Sequence, residues 1–253
     1  MRWVGYGILF LIIALVTLAL TAPLSFVMER AQARMPALQY ASASGSIWGG
    51  EIRQLRYGQQ PIGTVRLRTD WMSIFTGKWK SRVTVYQGAL NANGWASYGV
   101  NGDISLEDLT LSGKTSNLVS LRSDIRSMDG ELRLRLNDMT IRKSGCVEAT
   151  GTVWTDLLTR LDDRYDWAGP ELDGTVTCEN GQIIVRMSGE NNAGETVSGD
   201  LAAGLNATGT FRAVIENPTN KTANSATLLG FVTEGNRMIY NYTLSRNGNG
   251  VNQ

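Results

Sequence analysis

The most constraining feature of this chain is a strict two-residue alternation that recurs along most of its length. In Gly63–Trp71, Val65, Leu67, Thr69 and Trp71 fall on one side, and Arg66, Arg68 and Asp70 on the other. Leu132, Leu134 and Leu136 alternate with Glu131, Arg133 and Arg135 in the same way. Phe211, Ala213 and Ile215 oppose Arg212 and Glu216, and Met238, Tyr240 and Tyr242 oppose Asn241 and Thr243. Successive side chains of a strand point to opposite faces, so this period predicts strands with one buried and one wet face. Antiparallel sheets that face water on one side produce it. Glycine is abundant, at 28, and proline rare, at 5, as many short strands with tight turns require.

Helical spacing is confined to two short stretches. Leu118, Leu121 and Ile125 form one; Leu157, Leu158, Leu161 and Tyr165 form the other, with Thr155 or Asp156 as its N-cap. Residues 29–40 read as a helical or irregular stalk ended near Pro36, and Pro218–Ala226 reads as a polar loop.

The N-terminus is different. It is uncharged from Trp3 to Met28, with Arg2 before it and Glu29, Arg30 and Arg34 after it. About 20 apolar residues suffice to cross a bilayer core. A signal peptide has a shorter apolar core, roughly 7–15 residues, and its best cleavage site here, after Ala22, is spoiled by Pro23. Residues 1–28 are therefore expected to form a retained single-pass transmembrane anchor. Arg2 favours a cytoplasmic N-terminus, whereas Arg30 and Arg34 pull the other way. Cys146 and Cys178, the only two cysteines, fit either one disulfide or two separate buried thiols. In an exported domain the bridge is the preferred reading, and it places residues 41–253 outside the cytoplasm.

Composition removes several kinds of chemistry. The chain has no histidine, so it holds no Ser-His-Asp or Cys-His pair. Two cysteines are too few for a structural zinc cluster, and neither a metal nor another cofactor is expected. A formal charge of +1, from 24 basic and 23 acidic residues, makes no electrostatic case for nucleic acid. Gly113-Lys114-Thr115 lacks the upstream glycine of a phosphate loop, because Asp108 stands there. Asp162, Asp163 and Asp166 lack the central glycine of a calcium loop, because Trp167 stands there. No carboxylate pair is singled out for sugar hydrolysis, so a membrane-tethered glycan hydrolase ranks behind the other readings. The six tryptophans beyond the apolar run are either core and edge packing or an aromatic surface for a protein or lipid partner.

Internal echoes are present. Gly45-Ser-Ile-Trp48 recurs as Gly151-Thr-Val-Trp154, and Gly-led strand starts occur at Gly102, Gly130 and Gly209. They read either as two duplicated halves, 41–143 and 144–253, or as strings common to any β-rich chain.

The same residues carry a resemblance. In order come an N-terminal apolar segment, Gly45-Ser-Ile-Trp48-Gly-Gly50, Thr69-Asp70-Trp71, Ser73-Ile-Phe75-Thr-Gly77, Gly145-Cys146, Gly151-Thr-Val-Trp154 and Leu172-Asp-Gly174 with Cys178. Together they resemble the type II secretion system protein N family over at least Arg2–Gly209. Asn217–Gln253 carries no matching motif. The resemblance implies an inner-membrane component of the machine that moves folded proteins from the periplasm across the outer membrane. That role is accessory and non-catalytic, through contacts with other secretion-system membrane subunits. The residues it carries over are structural: the Cys146–Cys178 pair and the motif positions Gly45, Trp48, Trp71, Gly151 and Trp154.

The expected architecture is all-β: an elongated, mainly antiparallel curved sheet or stacked hairpins, with one or two short helices, on a single transmembrane helix. The alternative function is an anchored periplasmic protein whose sheet carries lipid acyl chains on an apolar face.

Overall fold

The computed structural model describes residues 21–119, 129–161, 167–206 and 208–244, with the single positions 6, 10, 17, 126, 127, 251 and 252. The strands among them are β1 (Leu38–Gln39), β2 (Ser42–Ser46), β3 (Gly49–Tyr57), β4 (Gln60–Asp70), β5 (Lys78–Tyr86), β6 (Leu90–Gly99), β7 (Ile104–Lys114) and β8 (Glu131–Arg142). They continue as β9 (Gly145–Thr155), β10 (Leu172–Glu179), β11 (Gln182–Glu190), β12 (Thr196–Ala203), β13 (Gly209–Glu216), β14 (Val232–Glu234), β15 (Arg237–Leu244) and β16 (Val251–Asn252). All belong to one open sheet. From β3 to β13 each strand pairs with its chain neighbours, and every pairing is antiparallel. The sheet is continuous across 143–144, where β8 pairs with β9.

The register sorts the alternating residues as their pattern predicts. Val65, Leu136, Val153, Val176, Ala213, Ile215 and Met238 are buried, whereas Arg66, Arg68, Arg133, Arg135, Arg186 and Arg212 are exposed. The sheet curves where the register slips, at bulges in β3 (between Ile52 and Leu55), β7 (between Glu107 and Thr110, opposite Asn93 and Trp95), β8 (between Leu136 and Asp138) and β9 (between Cys146 and Glu148). An extra residue in one strand bends it and increases its twist. Gly102, Gly130 and Gly209 each stand at or just before the start of a strand.

Two helices cover the ends of the apolar face. Helix α1 (Leu24–Arg34) lies across β3 and β4, where Leu24 and Met28 join Ile52 and Val65 in a buried cluster. Pro23, in extended conformation, separates α1 from what precedes it. The apolar run read from the sequence therefore divides at Pro23, and its last part packs on the sheet. Among the described residues no helix is long and apolar enough to cross a membrane.

Helix α2 (Asn220–Leu228) corrects the expected polar loop at Pro218–Ala226. Thr219 caps it, its hydroxyl accepting from the Thr222 amide. The buried face consists of Thr222, Ser225 and Ala226, small residues that allow close approach but give no apolar periodicity. Ala226 packs with Leu161, Trp167, Leu172, Val197, Ile215 and Met238. The expected helix at Leu157 is a 3-10 turn, Leu157–Leu161, capped by the Thr155 hydroxyl accepting from the Leu157 amide; its continuation to Tyr165 lies outside the described residues. Of the Leu118 helix, residues 121–125 lie outside the described residues, and Leu118 itself caps a short turn, Thr115–Asn117.

Candidate functional site

The wet face of the sheet carries an open groove of about 470 Å³ across β5–β10. Tyr86, Asn91, Asn93, Arg133, Arg135 and Trp154 are among its lining residues. Alternation brings them together: Arg133 pairs in register with Trp154 and Ser112, and Arg135 with Thr152 and Thr110. The Arg133 guanidinium sits 4.5 Å from the Trp154 ring centroid and donates twice to Glu131. The Trp154 indole donates to Glu171 at 3.1 Å. Asp173 is the one acid among the described residues that line the groove.

Beside this groove, Glu51 accepts from Arg53 at 2.7 Å, Arg66 at 2.9 Å and Tyr86 at 2.9 Å. These donors hold its carboxyl at about 2, and the same carboxylate pushes the Tyr86 phenol up. Farther along, Glu195 is 1% exposed. One oxygen accepts from Thr222 Oγ1 (2.5 Å) and the Thr219 amide (2.7 Å), the other from Trp167 Nε1 (3.0 Å) and Asn191 Nδ2 (2.7 Å). Burial alone pushes this carboxyl up, but the donors outweigh it and hold it at about 2. Glu195 thus fastens the start of α2 to the 191–195 turn and to Trp167. Among the described residues no acidic or cysteine cluster is arranged to hold a metal.

Cys146 and Cys178 form a disulfide with Cα atoms 5.5 Å apart. Cys146 opens β9, and its amide donates to Gly181 O in the β10–β11 turn, which brings it within reach of Cys178. Gly45, at φ +86°, lies in β2 just before the turn to β3, and a Cβ there would collide with Gly49 O. Gly151 lies within β9, where a Cβ would meet Arg135 O at 2.6 Å. The two Gly-x-x-Trp echoes therefore occupy different places, one leading into a turn and one inside a strand.

Of the six tryptophans, Trp167 alone is buried. Trp48 stacks on Trp79 with centroids 5.1 Å apart, and Lys80 and Arg82 lie over Trp95. Trp71 begins the 3-10 turn Trp71–Thr76 rather than ending β4, and is 60% exposed. The sequence reading left these side chains between core and surface. Strand ends, where Trp48, Trp71 and Trp79 lie, follow the alternation without the burial that goes with it.

The sequence pattern described as "Type II secretion system (T2SS), protein N" matches residues 36–237. The chain belongs to the type II secretion system protein N family. The match begins just before β1 and continues past Gly209 through α2 to the first residue of β15, so it includes the first part, Asn217–Arg237, of the tail in which no motif was legible. No curated protein and no solved structure matches the chain. As a protein N family member it is a component of the type II secretion machinery.

Proposed function

We propose that this protein N family chain is a non-catalytic accessory subunit held in the inner membrane by its N-terminal segment, with the sheet in the periplasm. The observation that carries this reading is the family match over 36–237, directly behind an uncharged N-terminal run. Trp3–Ala22, the part of that run ahead of Pro23, is about the length a bilayer core requires. The disulfide supports an oxidising compartment for the domain, and hence a cytoplasmic N-terminus. The domain layout is then an anchor within residues 1–28, a link at 29–40 and one periplasmic unit at 41–253.

Its work is scaffolding for other membrane subunits of the machine. The arginine- and tryptophan-bearing groove suits side-chain docking, since both residue types concentrate binding energy at protein interfaces. The sheet edges offer less: β1, β2 and β14 are two, five and three residues long, short enough to resist indiscriminate strand pairing. Detergent-solubilised full-length protein should co-purify with platform subunits of the secretion system, and Arg133→Glu with Arg135→Glu should weaken that association. A chain that always purifies alone would sink the proposal.

A second reading has one observation in its favour. Between the regions covered by α1 and α2, Leu106, Leu109, Leu132, Leu134, Ile141 and Val185 are only half-buried, an apolar strip of the kind that accepts acyl chains. Mass spectrometry of the purified protein under native conditions would favour it by detecting bound lipid.

A further inference from the structure

One end of the strands carries an arrangement that the scaffold role does not use. The β4–β5 connection is an inside-out turn. Its one buried side chain is polar: Ser73 donates to Asp70 O at 2.5 Å and accepts from the Lys80 amide at 3.0 Å. Thr76 donates to Ser73 O at 2.6 Å, and Asp70 caps the turn by accepting from the Met72 amide at 3.1 Å. Gly77, at φ 73°, closes it. The apolar residues face water: Phe75 is 81% exposed, Trp71 60% and Met72 59%. The adjoining β6–β7 turn is bonded to it through the Val100 amide and Gly77 O at 3.2 Å, and it exposes Val100 (84%) and Tyr98 (58%). A backbone so fully hydrogen-bonded is not waiting to collapse over its own side chains. A contiguous exposed patch of this kind on a monomer marks an interaction surface.

The chain itself says what lies against it. The N-terminal apolar segment joins the sheet at this same end. Ala22 O accepts from the Ile47 amide at 3.2 Å, and Pro23 bridges Ser46. The next residue, Trp48, stacks on Trp79, and its carbonyl accepts from the Thr69 amide at 2.8 Å, two residues before Trp71. The β4–β5 turn is thus two strands from the exit of the apolar segment, about 10 Å at the usual spacing of about 4.8 Å between strands. Exposed Arg68 and Lys78 flank the turn. Tryptophan and tyrosine concentrate where acyl chains meet headgroups, and basic side chains beside them favour anionic lipid.

We propose that this rim, centred on Trp71, Met72, Phe75 and Val100, is seated in the headgroup layer of the bilayer that holds the N-terminal segment. The inference rests on the anchor reading above. The rim fixes the sheet's tilt: the end bearing the short turns sits on the membrane, and the opposite end, with α2 and the long connections, points away.

The test uses the full-length chain reconstituted in phosphatidylethanolamine–phosphatidylglycerol vesicles. A nitrobenzoxadiazole label is placed at Phe75→Cys or, as control, at Gln87→Cys in the opposite turn, with the native disulfide intact. Resistance to alkaline carbonate extraction reports the anchor separately. In extraction-resistant protein, the label at 75 should be blue-shifted and quenched several-fold more by lipids bearing a nitroxide near the headgroup than the label at 87. An anchored protein whose two labels are equally open to aqueous iodide and equally unaffected by nitroxide lipid would overturn the seated rim while leaving the anchor standing. A protein washed off by carbonate would overturn the anchor reading, and the rim with it.

Discussion

Replacing Glu195 with glutamine isolates the largest polar commitment inside the protein. The wild-type carboxylate is 1% exposed and accepts four hydrogen bonds, two on each oxygen. Its carboxyl is lowered from 4.5 to about 2. At about 1.36 kcal/mol per pH unit, that difference represents about 3 kcal/mol of folding free energy. The sign follows from the direction. A group whose folded value lies below its unfolded value stabilises fully above about 4.5, and the contribution is lost as pH falls toward 2. Glutamine keeps the shape but sets an NH₂ against one of the two donor pairs, either Trp167 and Asn191 or Thr219 and Thr222. The expected loss at pH 7 is about 3 kcal/mol, a fall in Tm of about 6–12 °C for a domain of this size. Thermal melts of the detergent-solubilised chain at several pH values between 7 and 2 measure it. Other lowered carboxyls, such as Glu51 and Asp156, titrate equally in both proteins, so the difference between the two curves reports Glu195. The difference should be largest at pH 7 and shrink below pH 4.5. A variant that melts like wild type at pH 7, or whose deficit is the same at pH 2, would refute the assignment.

Three further outcomes are expected. Replacing both Cys146 and Cys178 by serine opens a loop with a sequence separation of 32 and should cost about 4 kcal/mol, read from denaturant unfolding; wild type in reductant should behave alike. Gly45→Ala and Gly151→Val should each destabilise by more than about 2 kcal/mol, because one lies at φ +86° against Gly49 O and the other against Arg135 O, whereas Gly49→Ala, with nothing near its Cβ and no positive φ, should be much milder. Leu24→Ala removes a side chain that is 3% exposed from the cluster with Ile52 and Val65, and should cost about 2–4 kcal/mol and raise protease sensitivity near Pro23.

The mainly antiparallel sheet and its wet and buried faces were legible in the sequence, because a period of two is imposed by backbone geometry and survives wherever one face is buried. Helix α2 was not. Its inward residues, Thr222, Ser225 and Ala226, are the small polar kinds that also make loops, and only the facing sheet gives them a buried role. Glu195 was equally silent. Its four donors come from Trp167, Asn191, Thr219 and Thr222, and no local pattern announces a carboxylate assembled from such distant positions. The rim at Trp71–Phe75 was half-visible: the residues stood out, but the inward turn of Ser73 that goes with their exposure depends on its hydrogen bonds to Asp70 and Lys80.

The neighbour-by-neighbour order of β3 to β13 also governs how the chain assembles. Domains acquire structure from the N-terminal side while synthesis proceeds. Here no strand up to β13 must wedge itself between two already paired, so the sheet can lengthen one hairpin at a time behind the emerging chain. Only β15 breaks the rule, entering between β13 and β14. Each intermediate presents one open growing edge, and the last edge, on β15, is covered in part by two short strands, Val232–Glu234 and Val251–Asn252. A chain arrested anywhere before that point is left with a long adhesive edge, which makes completion of the last hairpin the step that separates a solitary molecule from an aggregating one.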